Sequence, residues 1–562
     1  MPKNLEYIRI GESADGLYLS DPVPTDEQIS HYLQFQRDPV IGSQTGLCKF
    51  EETDEEWTLV AILPISLAIA KEPTSLSIDW EQLQESEAQG NALWKYSVGF
   101  LPTLLEASSS PDLVTAVLDS LWAYTQTAEW EERAKWMTSL DHCLAVRLRA
   151  LCTLFMQYSQ QSFPVPTSLY SLLVNDVHTL VKGGNSYFPI NNHGAMAAIA
   201  LIHCCAVFPR SMAELSKLTE PPVPTVGAAN LERIINEIFD HHGIAAENSP
   251  EYQRYWLTLL RPLQGLFESF PALAEELQRF FEALDIEHLL HNIEQALLMF
   301  TDLEGRLIPI GDSRPRKLSA PGPDEAILIS EEMGFAVYRG QGTVFTFNAG
   351  STNYAHKHCD DTSITLSHGG KNIILDSGYY SHDWNDERTI FTKSQSAHSG
   401  LFLTGLDDLH PGKLYWPGKE RIKAQLKRLH PSEFHVEGVV EIDGVACLRR
   451  EVKVQSGKRV DIVDSSTGSL DAYGNLLRRL ILPAGCSVSI SHGLVSIAID
   501  DVTLQIFLSD STLLEAVTAT TAKETSPIRG WISPELNTLS AATCLEIPVA
   551  LHQPSIMRLV LS

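Results

Sequence analysis

The chain has no long hydrophobic run. Its most apolar stretch, Leu59 to Ala70, is interrupted by Pro64 and is too short to cross a bilayer, so no membrane span is expected. The opening Met-Pro-Lys-Asn-Leu-Glu-Tyr lacks a positively charged segment followed by an apolar one. A cytoplasmic location is therefore expected, or a periplasmic or secreted one if a signal has been removed. Positive charge is scarce: 42 Lys and Arg face 70 Asp and Glu, a net charge of −28. That balance argues against general affinity for nucleic acid or anionic membranes, and any cleft taking an anionic substrate needs locally clustered cations. A disulfide framework is missing too. The nine cysteines show no regular spacing, with Cys204-Cys205 the only close pair, and read as mostly buried thiols of a reducing compartment. No repeat of fixed length is present, which weakens a solenoid reading.

What is present is length and two kinds of periodicity. A chain of 562 residues is too long for one compact core, and 44% apolar with 20% charged residues describes an ordinary folded protein. Residues 1–302 read as a helical domain, with apolar residues at three- and four-residue spacing in segments such as Pro111–Thr127, His142–Tyr158 and Ala195–Val207. Short loops between them imply antiparallel neighbours, and a closed or partly closed ring of helical hairpins fits. Residues 303–325, rich in Pro and Gly, read as a linker. Residues 326–562 alternate and are β-rich with no intervening helices, which predicts an antiparallel β-sheet sandwich. The fold class is α+β and multidomain.

The chemistry concentrates between residues 353 and 398. Thr362 to Leu375 reads as a hairpin turning at His-Gly-Gly. If its first strand starts a few residues earlier, alternation puts His356, His358 and Asp360 on one face. The return strand ends at Asp376, and His398 lies a short connection away. Imidazole with carboxylate suits Zn²⁺ or a similar divalent ion; a merely polar outer strand face is the plainer reading of His-x-His.

The helical half contributes three polar helix starts. Asn191-Asn192-His193-Gly194 precedes a helix beginning near Ala195, where Asn192 reads as an N-cap or as one of several donors for a carboxylate. Ser249-Pro250 is a cap and first helical residue, which puts Tyr252 in the first turn. Ser139-Leu140-Asp141-His142, followed by Arg147 and Arg149, reads as a cap with solvated arginines.

These pieces, in this order, resemble the heparinase II/III-like polysaccharide lyases. The resemblance rests on Asn-Asn-His-Gly (191–194), Glu-Asn-Ser-Pro-Glu-Tyr (247–252), Ile-Gly-Asp-Ser (310–313), His-Lys-His-Cys-Asp (356–360), Leu-Asp-Ser-Gly-Tyr-Tyr (375–380), Arg388 and Ser-Ala-His (396–398). It implies an N-terminal incomplete (α/α) toroid followed by a C-terminal antiparallel β-sandwich. It also implies β-elimination on a uronic-acid-containing polysaccharide and a zinc ion, structural in role, in the sheet domain. Carried over by position, Asn192 and His193 hold the uronate carboxylate, Tyr252 is the general acid and His356 the base, from opposite domains. His358, Asp376 and His398 are the implied metal ligands. Arg147, Glu247, Tyr255 and Arg388 are candidate substrate-binding residues, with Lys357, Lys393 and Arg149 as further cations. Two departures stand out: Ala-His-Ser-Gly replaces the family's Ala-His-Asn-Thr, and Tyr252-Gln253 replaces Tyr-His, which leaves Tyr255 as a substitute phenol.

Elimination removes the C5 proton beside a carboxylate and expels the oxygen on C4. Donors on the carboxylate stabilise the growing charge, as in an oxyanion hole, while a base and a phenol handle the protons. Glycosaminoglycans are the favoured polymers; alginate, a toroid glycoside hydrolase and a non-catalytic carbohydrate binder are the alternatives. The expected partner is an anionic polysaccharide or oligosaccharide. The sequence leaves the oligomeric state open.

Overall fold

A computed structural model describes residues 7, 21–37, 48–52, 56–61, 66–70, 80, 89–277, 285–350, 354–407, 409–416, 418, 420–491, 494–524 and 528–562. Asn353 and Pro64 lie outside these residues. The described chain forms two compact units, one of residues 1–238 and 256–290, the other of residues 239–255 and 291–562. Each is taken by itself.

The first unit is built around two apolar helices. Leu140–Gln160 and Asn192–Val207 are buried along most of their length, including Leu144, Leu148, Leu151, Ala198, Leu201 and Ile202. A helix apolar on all sides belongs inside a ring of others, and Thr167–Val181 and Val223–Ile238 are among its neighbours. Among the described residues no single helix is long and apolar enough to cross a membrane. One element departs from the helical expectation: Cys48–Glu52, Glu56–Ala61 and Ser66–Ala70 pair as an antiparallel three-stranded sheet. The apolar run from Leu59 thus includes strand, the usual ambiguity of a short hydrophobic stretch.

The second unit is antiparallel β. One five-stranded sheet runs Ala326–Ser330, Phe335–Gly340, Thr343–Asn348, Ser363–His368 and Lys371–Ile374, each strand pairing with the next. An eight-stranded sheet includes Ile422–Arg428, His435–Ile442, Ala446–Ser456, Arg459–Gly468 and Ser555–Leu561. Their inner faces share one core, where Phe345, Phe347 and Ile364 meet Leu426, Val452 and Ile462. That is the sandwich arrangement alternation produces. The segment 239–255 joins this unit because Ile244 is buried with Phe300, Ile310, Phe335 and Val337.

The hairpin ends differ from the simple alternating reading. Its first strand starts at Ser363, so residues 356–361 are turn and irregular backbone and not strand. His356 takes a left-handed backbone (φ 55°), which is unusual outside glycine and marks a position held by its surroundings. The reversal at Gly369 and Gly370, both at positive φ, is the glycine-dependent turn expected between two paired strands.

Candidate active site

Asp312 is the centre of the polar cluster in the second unit. Its Oδ2 lies 3.0 Å from His356 Nδ1 and its Oδ1 lies 2.9 Å from His358 Nε2. The ammonium of Lys393 also donates to Oδ1. Burial alone raises a carboxyl pKa, but Lys393 and the two histidines hold Asp312 well below the ordinary carboxylate value. In the sequence Asp312 stands out only as part of Ile-Gly-Asp-Ser (310–313). Nothing in its spacing to His356 announces a contact made across 44 residues.

Local structure explains the placement. Pro250–Ser269 is the helix that carries Tyr252. Ser249 hydroxyl reaches the Asp312 carbonyl at 3.0 Å and Ser313 Oγ at 2.7 Å, and the Glu251 N–H donates to Ser313 Oγ at 3.0 Å. The helix start and the loop around Asp312 are therefore stitched together. Gly311 is required there: its φ is +58°, and a Cβ would lie 2.2 Å from the Asn248 carbonyl oxygen.

The Tyr252 ring stacks on His356, with centroids 3.3 Å apart and planes 20° from parallel. Sequence reasoning put these two on opposite domains; they meet within one unit, because residues 239–255 pack with the β segment. Burial, then the charges of Asp312 and Glu247, push the phenol above its ordinary value, so it keeps its proton. Glu247 Oε2 stands 3.3 Å from His356 Nε2, opposite Asp312 on the ring. Burial opposes charge on this imidazole, but the two carboxylates outweigh it and raise its pKa. The site thus presents a protonated phenol against an imidazole flanked by carboxylates. Tyr255 lies edge-on to Tyr252, centroids 6.1 Å apart. Gln253 is a tether, its Oε1 accepting from the Ala245 N–H at 2.8 Å.

Asn192 and His193 belong to the first unit. The cap of their helix is Asn191, whose Oδ1 accepts from the Gly194 N–H at 3.0 Å. The expected cap was Asn192; its side chain instead sits in the first helical turn. His193 Nδ1 lies 3.9 Å from Asp141, and its ring is 4.6 Å from that of His142. Burial and the neighbouring His193 lower His142 to about 3, which keeps it neutral, while burial raises the Asp141 carboxyl.

Several expected anion binders are placed elsewhere. Arg147 has no exposed side-chain surface and grips Asp176 with two bonds of 2.6 and 2.9 Å. It is an internal ion pair, not a substrate contact: position in a polar helix start said nothing of which way the side chain turns. Lys357 is likewise buried, on Asp360 and Asp361 at 2.6 and 3.0 Å. Arg388 is exposed and pairs with Asp386 at 2.7 Å, its guanidinium 4.9 Å from the Tyr380 ring centre.

His358, Asp376 and His398 are all buried. Asp376 Oδ1 accepts from His398 Nδ1 at 2.9 Å, and the rings of His358 and His398 lie 5.3 Å apart. His358 Nδ1, Asp376 Oδ2 and His398 Nε2 have no hydrogen-bond partner. Among the described residues no group of three or more His, Cys, Asp or Glu closes on a common point. The donors nevertheless fit a divalent ion by type: three orphaned, desolvated lone-pair atoms, with one imidazole oriented by a carboxylate as metal-binding histidines are.

Residues 327–516 match the family model described as heparinase II/III-like, C-terminal. The structure is similar to heparan sulfate lyase HepC from Pedobacter heparinus at 14% identity and TM-score 0.62, covering 100% of this chain and 86% of that one. It is similar to heparinase III at 14% identity and TM-score 0.63, covering 100% of this chain and 87% of that one. A heparinase III with methylated lysines gives 14% identity and TM-score 0.63 over 96% of this chain and 84% of that one. A search of curated proteins finds no match. At this identity the likeness is one of fold: a helical toroid region followed by antiparallel sheets forming a sandwich.

Proposed function

We propose, from a C-terminal part of the heparinase II/III-like family and a fold shared with heparan sulfate lyase, that this protein is a polysaccharide lyase. It cleaves uronic-acid-containing chains, glycosaminoglycans before alginate, by β-elimination. The observation that carries the reading is the stacked pair of Tyr252 and His356, bracketed by Asp312 and Glu247.

In this reading Tyr252, held protonated, gives its proton to the oxygen leaving C4. His356, in its neutral form, takes the C5 proton. Its raised pKa makes it a strong base when neutral, and Asp312 fixes its orientation. Asn192 and His193 supply donors for the uronate carboxylate as enolate charge develops. His358, Asp376 and His398 would hold a divalent ion, zinc by donor type. When bound, that ion supplies a cross-link for the segment that carries His356. A hydrolase would need two carboxylic acids flanking the bond. Glu247 and Asp312 instead bracket an imidazole ring, which favours the lyase.

The test is a panel of heparan sulfate, chondroitin, hyaluronan and alginate, followed by the ultraviolet absorbance of new unsaturated uronate ends. Wild-type protein produces that absorbance on at least one polymer. Tyr252→Phe lowers its rate at least about a hundredfold, in line with loss of a general acid, and leaves the melting temperature unchanged. Reducing ends appearing without the absorbance would refute elimination.

A further inference from the structure

A second feature of the β unit lies beside this cluster and is not used by the chemistry. Trp384 sits just before the helix Glu387–Lys393, and His410 and Trp416 flank the short helix Gly412–Tyr415. The three rings touch pairwise, with centroids 5.2 Å (Trp384–His410), 5.7 Å (His410–Trp416) and 6.3 Å (Trp384–Trp416) apart. Both indoles remain open to solvent, 38% and 42% exposed. A single exposed aromatic is ordinary, but two adjoining indoles leave a flat apolar patch unpaid for by burial.

We propose that Trp384, His410 and Trp416 form a stacking platform for sugar rings of an anionic oligosaccharide, continuous with the Asp312 cluster through Lys393. The rings are held in place before any ligand arrives. A Cβ on Gly412 would lie 2.3 Å from Trp416 Cε2, so the indole rests directly on the backbone of its own helical turn. Trp384 receives the Lys393 ammonium 5.2 Å from its ring centre. That same ammonium donates to Asp312, which accepts from His356. One side chain therefore separates the platform from the proposed chemistry.

The occupant follows from surface and charge. Indole offers a broad, rigid apolar face with little entropy to lose, and a pyranose ring offers a matching face of C–H groups. Exposed Lys413 lies between His410 and Trp416 in sequence, while exposed Arg388, on the helix of Lys393, is paired with Asp386. In a chain of net charge −28, the Lys413 ammonium, set within the segment that carries His410 and Trp416, matches a carboxylate of a uronate chain. This assignment rests on the lyase reading for its ligand class, and its test separates the two.

The experiment measures calorimetric binding of heparan sulfate, chondroitin and hyaluronan hexasaccharides to the full chain carrying Tyr252→Phe, so that no turnover intervenes. Adding Trp384→Ala with Trp416→Ala raises the Kd of the bound hexasaccharide at least about tenfold, which is about 1.4 kcal/mol. Adding Trp384→Phe with Trp416→Phe instead restores it to within about threefold, because a flat ring remains. A Kd within about twofold of the parent in the double alanine variant overturns the platform, and so does a parent that binds none of the hexasaccharides. Loss of a dimer in sedimentation with unchanged Kd also overturns it, in favour of a second copy of the chain. If no polymer yields unsaturated ends but the Kd still responds to the indoles, the lyase reading fails and the platform stands. If cleavage occurs and the Kd does not respond, the platform alone fails.

Discussion

Asp312 shows how much one side chain carries in this molecule. It is buried, and it accepts from two imidazoles and an ammonium at once. Removing its charge leaves Lys393 buried without a compensating anion, and breaking a buried pair from one side is costly. Asp312→Asn should therefore lower the unfolding free energy by about 3–5 kcal/mol, read by urea denaturation. A loss under about 1 kcal/mol would mean that Lys393 finds another partner. The orphaned atoms of His358, Asp376 and His398 lead to a second expectation. If they take zinc, adding Zn²⁺ to chelator-treated protein raises the melting temperature, by linkage of binding to the folded state. His398→Ala should abolish that rise, and an equal rise in both proteins would show that the ion binds elsewhere. At this scale the sequence was legible where identity decides a contact, as at Tyr252 and His356, whose rings stack. It was not legible where direction decides it. Arg147 and Arg388 look alike in the sequence, yet one is locked onto Asp176 inside the helical unit and the other lies on the surface.

Elements bring those residues together, and their ends matter more than their middles. Helices such as Leu140–Gln160 were readable because many apolar positions repeat the same signal. Terminal geometry was less so: the cap at Asn191 rather than Asn192 is a one-residue difference that no periodicity resolves. The hairpin Ser363–His368 and Lys371–Ile374 was legible from its alternation and its Gly-Gly turn. The strand face expected to gather His356, His358 and Asp360 was not formed, because the chain turns there and His356 takes positive φ. The helix start at Pro250 tests how far such junctions matter. Gly311→Ala puts a methyl group 2.2 Å from the Asn248 carbonyl and strains a positive φ. The expected cost is about 1–3 kcal/mol, with a lower kcat as the loop carrying Asp312 shifts against Tyr252. Stability and kcat both unchanged would show that the loop relaxes without disturbing the site.

Across the whole molecule the scarcity of cations becomes an argument about stability. Of 42 Lys and Arg, several are committed inside the fold, including Arg147, Arg450, Arg478 and Arg479. Arg450 and Arg478 converge on Asp464, with Nε–O distances of 2.7 and 2.6 Å. Arg450 also donates to the Thr362 carbonyl at 3.1 Å and Arg478 to the Ser555 carbonyl at 2.7 Å. The knot thus ties the residue preceding strand Ser363–His368 to the eight-stranded sheet. Burial alone would raise the Asp464 carboxyl, but the two guanidinium charges pull it below the ordinary value. A carboxyl depressed in the folded state contributes stability that is complete above its unfolded pKa of about 3.9, and that is lost as pH falls through the folded value. Asp464→Asn should accordingly cost about 3–5 kcal/mol at neutral pH, the penalty for breaking a buried ion pair. The difference between wild type and variant in urea unfolding should then narrow as pH drops below about 4. A gap that stays constant down to acid unfolding would mean that Asp464 acts through shape and hydrogen bonding, with its charge making no net contribution.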